Sequence, residues 1–556
     1  MPIIPRRIIY LILSIIIFLA LFWLRMIPSV GNAVEFTFDS ASYYRLTQQT
    51  IQSGRVPAID SLSTYPQGRE IKSLLPTLLF SASASFYKLI NIFKPVTLNH
   101  AILLFCALFG ASICIPLYFL SFAIYRNKII ACLTAFLAGI IPAYLQRSCC
   151  YWFRFEVMAT PIIFMSLLFF IKALDTRESR KTFLYTIFFA FFSILSLYTW
   201  RLSSFFLIAC VIVILYLWIT DYELCRKKWI ITVVVLAIFI SLPWFIPGLR
   251  VKSPLFSTLS LPKAIFQVTL QRLGIKQNLS EYARIFYSTQ EFAAANLIEF
   301  FNNKFLSLSG LLAIFYFTSY FRVKETKIVK DVLFIFLSLF LILTAIILRM
   351  KIILGPLVAL TLGESLVFIS NKRNKRLRNL VICLIAVMFM KTGFDACKLM
   401  ATRYKNTQIE PDLKQAIGAI NKLLPKHAVI LCDWPEGYFI QTYCMRPTLT
   451  DGLLESPQII QRAIAIAKIY YSTDENALLE FCRRFGVTHI LISVEQEQTY
   501  AVYAGIDYDN YRIGKRDASF KSTLFYRLIR DADSLKSFSR LYSNATFILY
   551  EIKPAK

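Results

Sequence analysis

Residues 331–370 read DVLFIFLSLFLILTAIILRMKIILGPLVALTLGESLVFIS, two apolar runs parted by Arg349, Met350 and Lys351. The first carries no charge from Val332 to Leu348, and the second none from Ile352 to Gly363. A helix rises about 1.5 Å per residue, so about 20 apolar residues cross the hydrocarbon core of a bilayer. Both runs are of that order, and the short basic break between them predicts two spanning helices joined by a tight turn. Working outward, similar runs lie near 8–27, 99–124, 129–146, 155–173, 183–199, 203–220, 229–247, 306–321 and 379–396, for about eleven spans in all. The run at 8–27 follows Arg6 and Arg7 with no small-residue cleavage site behind it, so it reads as a retained first span. The apolar segment 74–93 carries Ser81, Ser83, Ser85 and Lys88 and predicts an interfacial helix.

Of the 556 residues, 57% are hydrophobic and only 17% charged, with a mean hydropathy of +0.58. A soluble chain carries roughly 25% charged residues, so lipid is the expected solvent. The formal net charge of +28 does not point to nucleic acid, because the Lys and Arg residues gather in short loops between apolar runs. With a cytoplasmic N-terminus, the inner loops hold Arg126 and Lys128, then Lys172, Arg177, Arg180 and Lys181, then Arg226, Lys227 and Lys228. The later inner loops hold Arg322, Lys324, Lys327 and Lys330, then Lys372, Arg373, Lys375, Arg376 and Arg378. Every alternate loop is basic, as the positive-inside bias requires, and counting 74–93 as a span would invert all the later ones. The reading is a multi-pass protein of the cell (inner) membrane with an extracytoplasmic C-terminal end. The 12 cysteines show no zinc spacing, and three histidines leave no histidine-rich metal site.

A membrane all-α part is expected over 1–399, with long outer loops at 28–98 and 248–305, followed by an extracytoplasmic mixed α/β domain over 400–556. In that tail 407–424 and PQIIQRAIAIAKIYYS (457–472) read as helices. HAVILCDW (427–434), VTHILIS (487–493) and ATFILYEIK (545–553) read as strands.

Carboxylates are scarce near the spans, so those at the outer face stand out. Asp39 lies in FTFDSASYYRL, Glu156 in QRSCCYWFRFEVMATP and Glu291 in YSTQEFAAAN, all on the same expected side. Together they can hold a divalent cation or position a nucleophile; each alone can be a solvated loop residue. Arg349 at the outer face beside an apolar pocket suits the phosphate or diphosphate of a lipid-borne substrate, or snorkelling toward headgroups. Arg69, Arg147, Arg154 and Arg201 also lie outside, against the orientation bias, and each calls for a local reason.

In this order, the motifs resemble the catalytic subunit of oligosaccharyltransferases, a family of the GT-C glycosyltransferases. FDSASYYR is similar to the family's first-loop aspartate motif, and YPQGRE to the stretch that closes that loop. QRSCCYWFRFE resembles the second acidic motif, written SR…DxE, and YTWRLSS the small outer turn bearing a tryptophan. STQE is similar to the SVSE or TIxE motif of the mobile outer loop. LRMKIILGPLVALTLG resembles the arginine-led span that meets the lipid diphosphate, and CDWPEGYFIQTYCMRPTLTDG the WWDYG region. The resemblance runs from about residue 30 to the C-terminal end.

It implies a GT-C fold and transfer of a glycan from a polyprenyl-diphosphate carrier to a polypeptide acceptor, usually at asparagine. It implies Asp39 and Glu291 at the acceptor amide and at a metal, Mg2+ or Mn2+, with Glu156 as a further ligand. Arg349 and Arg201 would meet the donor diphosphate. Ser288, Trp434 and Gly437 would meet the acceptor, Ser288 from a loop that closes over it. Arg154 stands where the family's first DxE acid is expected, so Arg154 and Arg147 have open roles. The WWDYG box reads Asp433-Trp434-Pro435-Glu436-Gly437, which leaves acceptor choice open. There are also fewer spans than the family usually has, with the loss just before the mobile loop. The alternatives are a GT-C enzyme moving one sugar from a polyprenyl-phosphate carrier to a glycan or lipid, and a non-catalytic transporter or scaffold. Against the last, the span interiors are almost free of charge.

Overall fold

A computed structural model of the chain describes residues 6–31, 33–245, 328–370, 375–403, 407–452, 457–506 and 518–553, together with Gln267, Ala283, Tyr316 and Tyr320. Apart from those four residues, the expected span at 306–321 and the second outer loop, with its Ser288 and Glu291, lie outside the described residues. The chain divides into two compact units. One comprises 1–34, 76–246 and 294–405, and the other 35–75, 247–293 and 406–556.

The first unit is helical. Its described helices include Arg6–Met26, Leu98–Ala111, Cys114–Tyr125, Lys128–Ile140, Phe155–Asp175, Ser179–Thr199, Ser204–Thr220, Trp229–Phe245, Ile328–Ile346 and Lys375–Thr402. Among the described residues, five helical stretches are long and apolar enough to cross a bilayer, including Leu98–Tyr125 and Phe155–Asp175. Leu78–Phe93, Lys128–Ile140 and Trp229–Ser241 are shorter apolar helices. The run at 350–370 is two pieces, Lys351–Leu360 and Leu362–Ser370, broken at Thr361.

Helix pairs in this unit pack through small residues and rings, as expected where lipid supplies little drive for association. Phe155–Asp175 lies along Ser179–Thr199, with the Ser166 and Ser193 hydroxyls 2.6 Å apart and Phe169 stacked on Phe188 and Phe192. Arg25, fully buried near the end of the first helix, is held by carbonyls, a hydroxyl and a ring. It donates to the Leu21 and Gly139 carbonyls, each at 2.9 Å, and to Ser148 Oγ, while lying over the Tyr144 ring. Gly110 makes room for it: a Cβ there would strike both the Ser148 carbonyl and the Arg25 guanidinium. This staple fixes the start of the segment that carries Arg147.

The second unit carries a two-stranded sheet, β1 (Ile59–Asp60) against β2 (Arg69–Glu70), and a four-stranded sheet. The latter joins β3 (Ile430–Leu431), β4 (His489–Ser493), β5 (Phe538–Ser543) and β6 (Phe547–Ile552) in the order β3-β4-β6-β5. β3 and β4 run parallel, and the other pairs antiparallel. β4 is buried at every position, which explains its unbroken apolar run. Helices Pro411–Leu423, Pro457–Tyr470 and Glu475–Arg484 belong to the same unit, whose core includes Leu431, Ile460, Ile464, Tyr470, Ile490, Ile492 and Phe525.

The sequence reading differs from the structure at HAVILCDW, where only Ile430 and Leu431 pair as a strand. The chain turns into a helix at Trp434–Phe439 because Asp433 accepts from the Trp434 amide as N-cap and Pro435 sits in the first turn. β5, with its mixed burial, was not expected; its residues alternate too weakly to read as a strand.

Candidate functional site

Glu156 opens the helix Phe155–Asp175, where the N-terminal partial charge favours a carboxylate, and its side chain is fully buried. Oε1 accepts from Arg147 Nη1 at 3.1 Å and from Trp152 Nε1 at 3.3 Å. Oε2 accepts from Arg349 Nη2 at 2.9 Å. A buried carboxylate is tolerated when it is paired and hydrogen-bonded in this way.

Aromatic rings hold the arginines in place. Arg154 lies 4.2 Å and Arg147 5.3 Å from the Trp152 ring centre, and Arg349 5.8 Å from that of buried Trp200. Trp200 leads the turn Arg201–Ser203, and Arg349 lies in the turn Leu348–Met350. Among the described residues, three guanidiniums gather near this one carboxylate. Such a cluster is chemically suited to a phosphate or diphosphate. Both Glu156 oxygens are engaged by donors. Among the described residues, no group of three or more His, Cys, Asp or Glu side chains is placed to hold a metal ion.

The second unit contains Asp39 and the Trp434–Gly437 stretch. Asp39 begins the helix Asp39–Ser53, directly after Phe38, whose φ of 51° is unusual for a residue with a side chain. Three contacts from one later segment hold this bend. Tyr443 Oη donates to the Phe36 carbonyl at 2.7 Å, Phe439 packs edge-on against Phe38, and Tyr438 Oη donates to Asp39 Oδ1.

The same helix leads into a buried polar network. Arg45 grips Asp60 through both terminal nitrogens, at 2.7 and 2.5 Å, and also donates to Gln441 at 3.1 Å. Gln441 donates to Asp451, which accepts from Ser63 and Arg69, each at 2.5 Å. Burial pushes the Asp60 carboxyl up, but the Arg45 guanidinium outweighs it and holds the group below its usual range. Arg69 therefore has its local reason: it anchors Asp451. Gly437 sits where a Cβ would strike the Thr450 carbonyl, and Trp434 Nε1 donates to Tyr503 Oη at 2.8 Å.

The chain matches the family model described as oligosaccharyl transferase STT3, N-terminal, over residues 8–402. It belongs to that family. The transferase is thus a multi-pass membrane glycosyltransferase. A second model, Dpy19 (Q-cell neuroblast polarisation), matches residues 322–552. Comparison with curated protein sequences brings out no match.

Among solved structures, the archaeal oligosaccharyltransferase AglB from Archaeoglobus fulgidus, in complex with an inhibitory peptide and a dolichol-phosphate, is similar with a TM-score of 0.72. The identity is 14%, over 97% of this chain and 80% of that one. The Archaeoglobus fulgidus oligosaccharyltransferase in complex with Zn and sulfate gives a TM-score of 0.69 at 13% identity, over 95% and 79%. ArnT from Cupriavidus metallidurans bound to undecaprenyl phosphate gives 0.57 at 12% identity, over 97% of both chains. At these identities the likeness is one of fold.

Within the transferase, the first unit thus brings together Glu156, Arg147, Arg154 and Arg349, with Arg201 next to Trp200. The second holds Asp39, Trp434 and Gly437. Sequence reasoning missed Trp152 and Tyr438. Trp152 could have been found as the aromatic residue between two outer-face arginines, and Tyr438 as the tyrosine directly after the box glycine.

Proposed function

We propose that the transferase moves a glycan from a polyprenyl-diphosphate carrier to an asparagine side chain of a polypeptide, on the extracytoplasmic face of the cell (inner) membrane. The N-terminus is then cytoplasmic and the domain at 400–556 extracytoplasmic. The observation that carries this reading is the arginine cluster around Glu156, which gathers positive charge on the helical unit. Arg349 and Arg201 grip the diphosphate, with Arg147 and Arg154 completing the positive field. Glu156 keeps Arg147 and Arg349 from splaying apart. That donor chemistry accords with the dolichol-phosphate and undecaprenyl phosphate named with AglB and ArnT.

Asp39 and Glu291 engage the acceptor amide, Ser288 closes over it, and Trp434 and Gly437 line its path. Mg2+ or Mn2+ falls to Asp39, Glu156 and Glu291, with Glu156 also accepting from its arginines. When bound, it would supply Lewis-acid polarisation and charge neutralisation. The zinc named with the Archaeoglobus fulgidus enzyme supports a divalent ion.

A second reading, transfer of a single sugar to a glycan or lipid, draws on the altered box. The Trp434 indole N–H is spent on Tyr503, and buried Glu436 stands among the box residues. Mass spectrometry of exported glycoproteins and glycolipids from cells with and without the transferase separates the two. Loss of glycopeptides alone supports asparagine transfer, and loss of a glycolipid with intact glycopeptides overturns it.

A further inference from the structure

We propose that Tyr438 is a positioning residue for Asp39: its hydroxyl donates to Oδ1 and so helps to set the orientation in which the carboxylate meets the acceptor. This rests on the reading of Asp39 as a catalytic carboxylate. The geometry has three parts. Tyr438 is 1% exposed and donates directly to Asp39 Oδ1, whereas Asp39 is half-buried, so only one of the two groups is reachable from outside. The ring is closely packed on one side, because Gly452 lies against it so tightly that a Cβ there would strike it. Its neighbour Gly437 is pressed in the same way onto the Thr450 carbonyl and Asp451.

The third part is the buried network. Asp39 heads the helix whose Arg45 reaches Asp60 and Gln441. Tyr438 lies one turn before Gln441, which bonds Asp451. The two ends of the Tyr438–Asp39 bond are therefore each tied to the same buried ion pairs, and the bend at Phe38 has no slack to take up. A carboxylate at the start of a helix can rotate about its side-chain bonds; a donor fixed on one oxygen removes that rotation before any substrate arrives. Misplacing a reacting group by about 1 Å can cost about 100-fold in rate, so such a hold matters to turnover rather than to binding.

The test uses the full chain in detergent with Tyr438→Phe, which keeps the ring against Gly452 and removes only the donor. Two measurements are made. Carbodiimide labelling of Asp39, read by mass spectrometry, needs no substrate. Transfer is assayed with a synthetic polyprenyl-diphosphate N-acetylglucosamine and a fluorescent Asn-Xaa-Thr peptide. The expected result is several-fold faster labelling at Asp39, a fall in kcat of about 10-fold or more with peptide KM within about two-fold, and an unchanged melting temperature. In an Asp39→Glu background, where the carboxylate is already displaced, Tyr438→Phe should add little. Equal labelling of parent and Tyr438→Phe overturns the proposal, as does parental kcat in Tyr438→Phe while Asp39→Asn is inactive. Parental turnover in Asp39→Asn overturns instead the underlying reading of Asp39. If the parent does not use these substrates, the labelling comparison alone decides.

Discussion

Glu156 accepts from Arg147 at one carboxylate oxygen and from Arg349 at the other, at 3.1 and 2.9 Å. The two arginines are therefore held together by a carboxylate of the protein itself, with both guanidiniums braced on tryptophan rings.

Removing that carboxylate leaves two nearly buried guanidiniums facing each other. Breaking one side of a buried ion pair costs roughly 3–5 kcal/mol. Glu156→Ala is expected to lower the melting temperature of the purified transferase and to abolish transfer, while Glu156→Gln, which retains one acceptor oxygen, keeps part of both. Thermal unfolding in detergent checks the first effect. A parental melting temperature in Glu156→Ala would mean that the arginines do not depend on this carboxylate.

Arg349→Lys tests planarity. Arg349 bonds Glu156 and lies over Trp200 with one flat group, and a lysine ammonium cannot do both. The donor KM is expected to rise by about 10-fold, roughly 1.4 kcal/mol, with the peptide KM little changed. Equal donor KM in parent and mutant would reduce Arg349 to an interfacial anchor.

Two glycines should respond in opposite directions. Gly110→Ala drives a methyl into the Ser148 carbonyl and Arg25, and overpacking of this kind costs about 1–3 kcal/mol. Gly418 is exposed in the helix Pro411–Leu423, and a methyl added there meets nothing within 4 Å, so Gly418→Ala should stabilise by about 0.5–1 kcal/mol. Paired thermal melts of the two variants decide the matter.

Burial pushes both the Asp433 and Glu436 carboxyls well above their usual range. At low pH these groups are neutral in folded and unfolded chain alike. Above about pH 4 the unfolded chain ionises them while the folded unit resists, so stability falls as pH rises toward and through neutrality. Asp60 acts in the reverse sense: its depressed carboxyl stabilises above the ordinary range, and that contribution is lost on acidification. Between about pH 5 and about pH 8 the two buried acids should dominate. Asp433→Asn, which can still cap the helix, should flatten the decline. Melting curves at both pH values, for parent and Asp433→Asn, provide the check; parallel declines would show that Asp433 is not the source.

The helices were legible because a bilayer imposes one length and one polarity on a span, and runs such as 155–173 satisfy both. Arg349 was legible for the same reason, as a charge interrupting two apolar runs. The helix at Trp434–Phe439 carried a signal that lost to the apolar run before it: Asp433 as cap with Pro435 behind it outweighs β propensity as soon as the strand loses its partner. The Tyr438–Asp39 bond and the Arg45–Gln441 bond join residues 399 and 396 positions apart. No periodicity reports contacts at that separation, and each residue alone reads as an ordinary polar position. Glu156 read as a metal ligand because acidity is visible in a sequence; its two arginine partners become visible only when the turns bearing Arg147 and Arg349 meet its helix.

The partners of Arg25 also set an order for biosynthesis. Gly139 and Ser148 lie 114 and 123 residues further along the chain, so the first helix enters the bilayer carrying a guanidinium with most of its donors unmet. In hydrocarbon such a group is expensive, and until residue 148 arrives it must borrow water or headgroups at the interface. A nascent chain stopped short of Gly139 therefore exposes a membrane-embedded charge, whereas one that has passed Ser148 hides it.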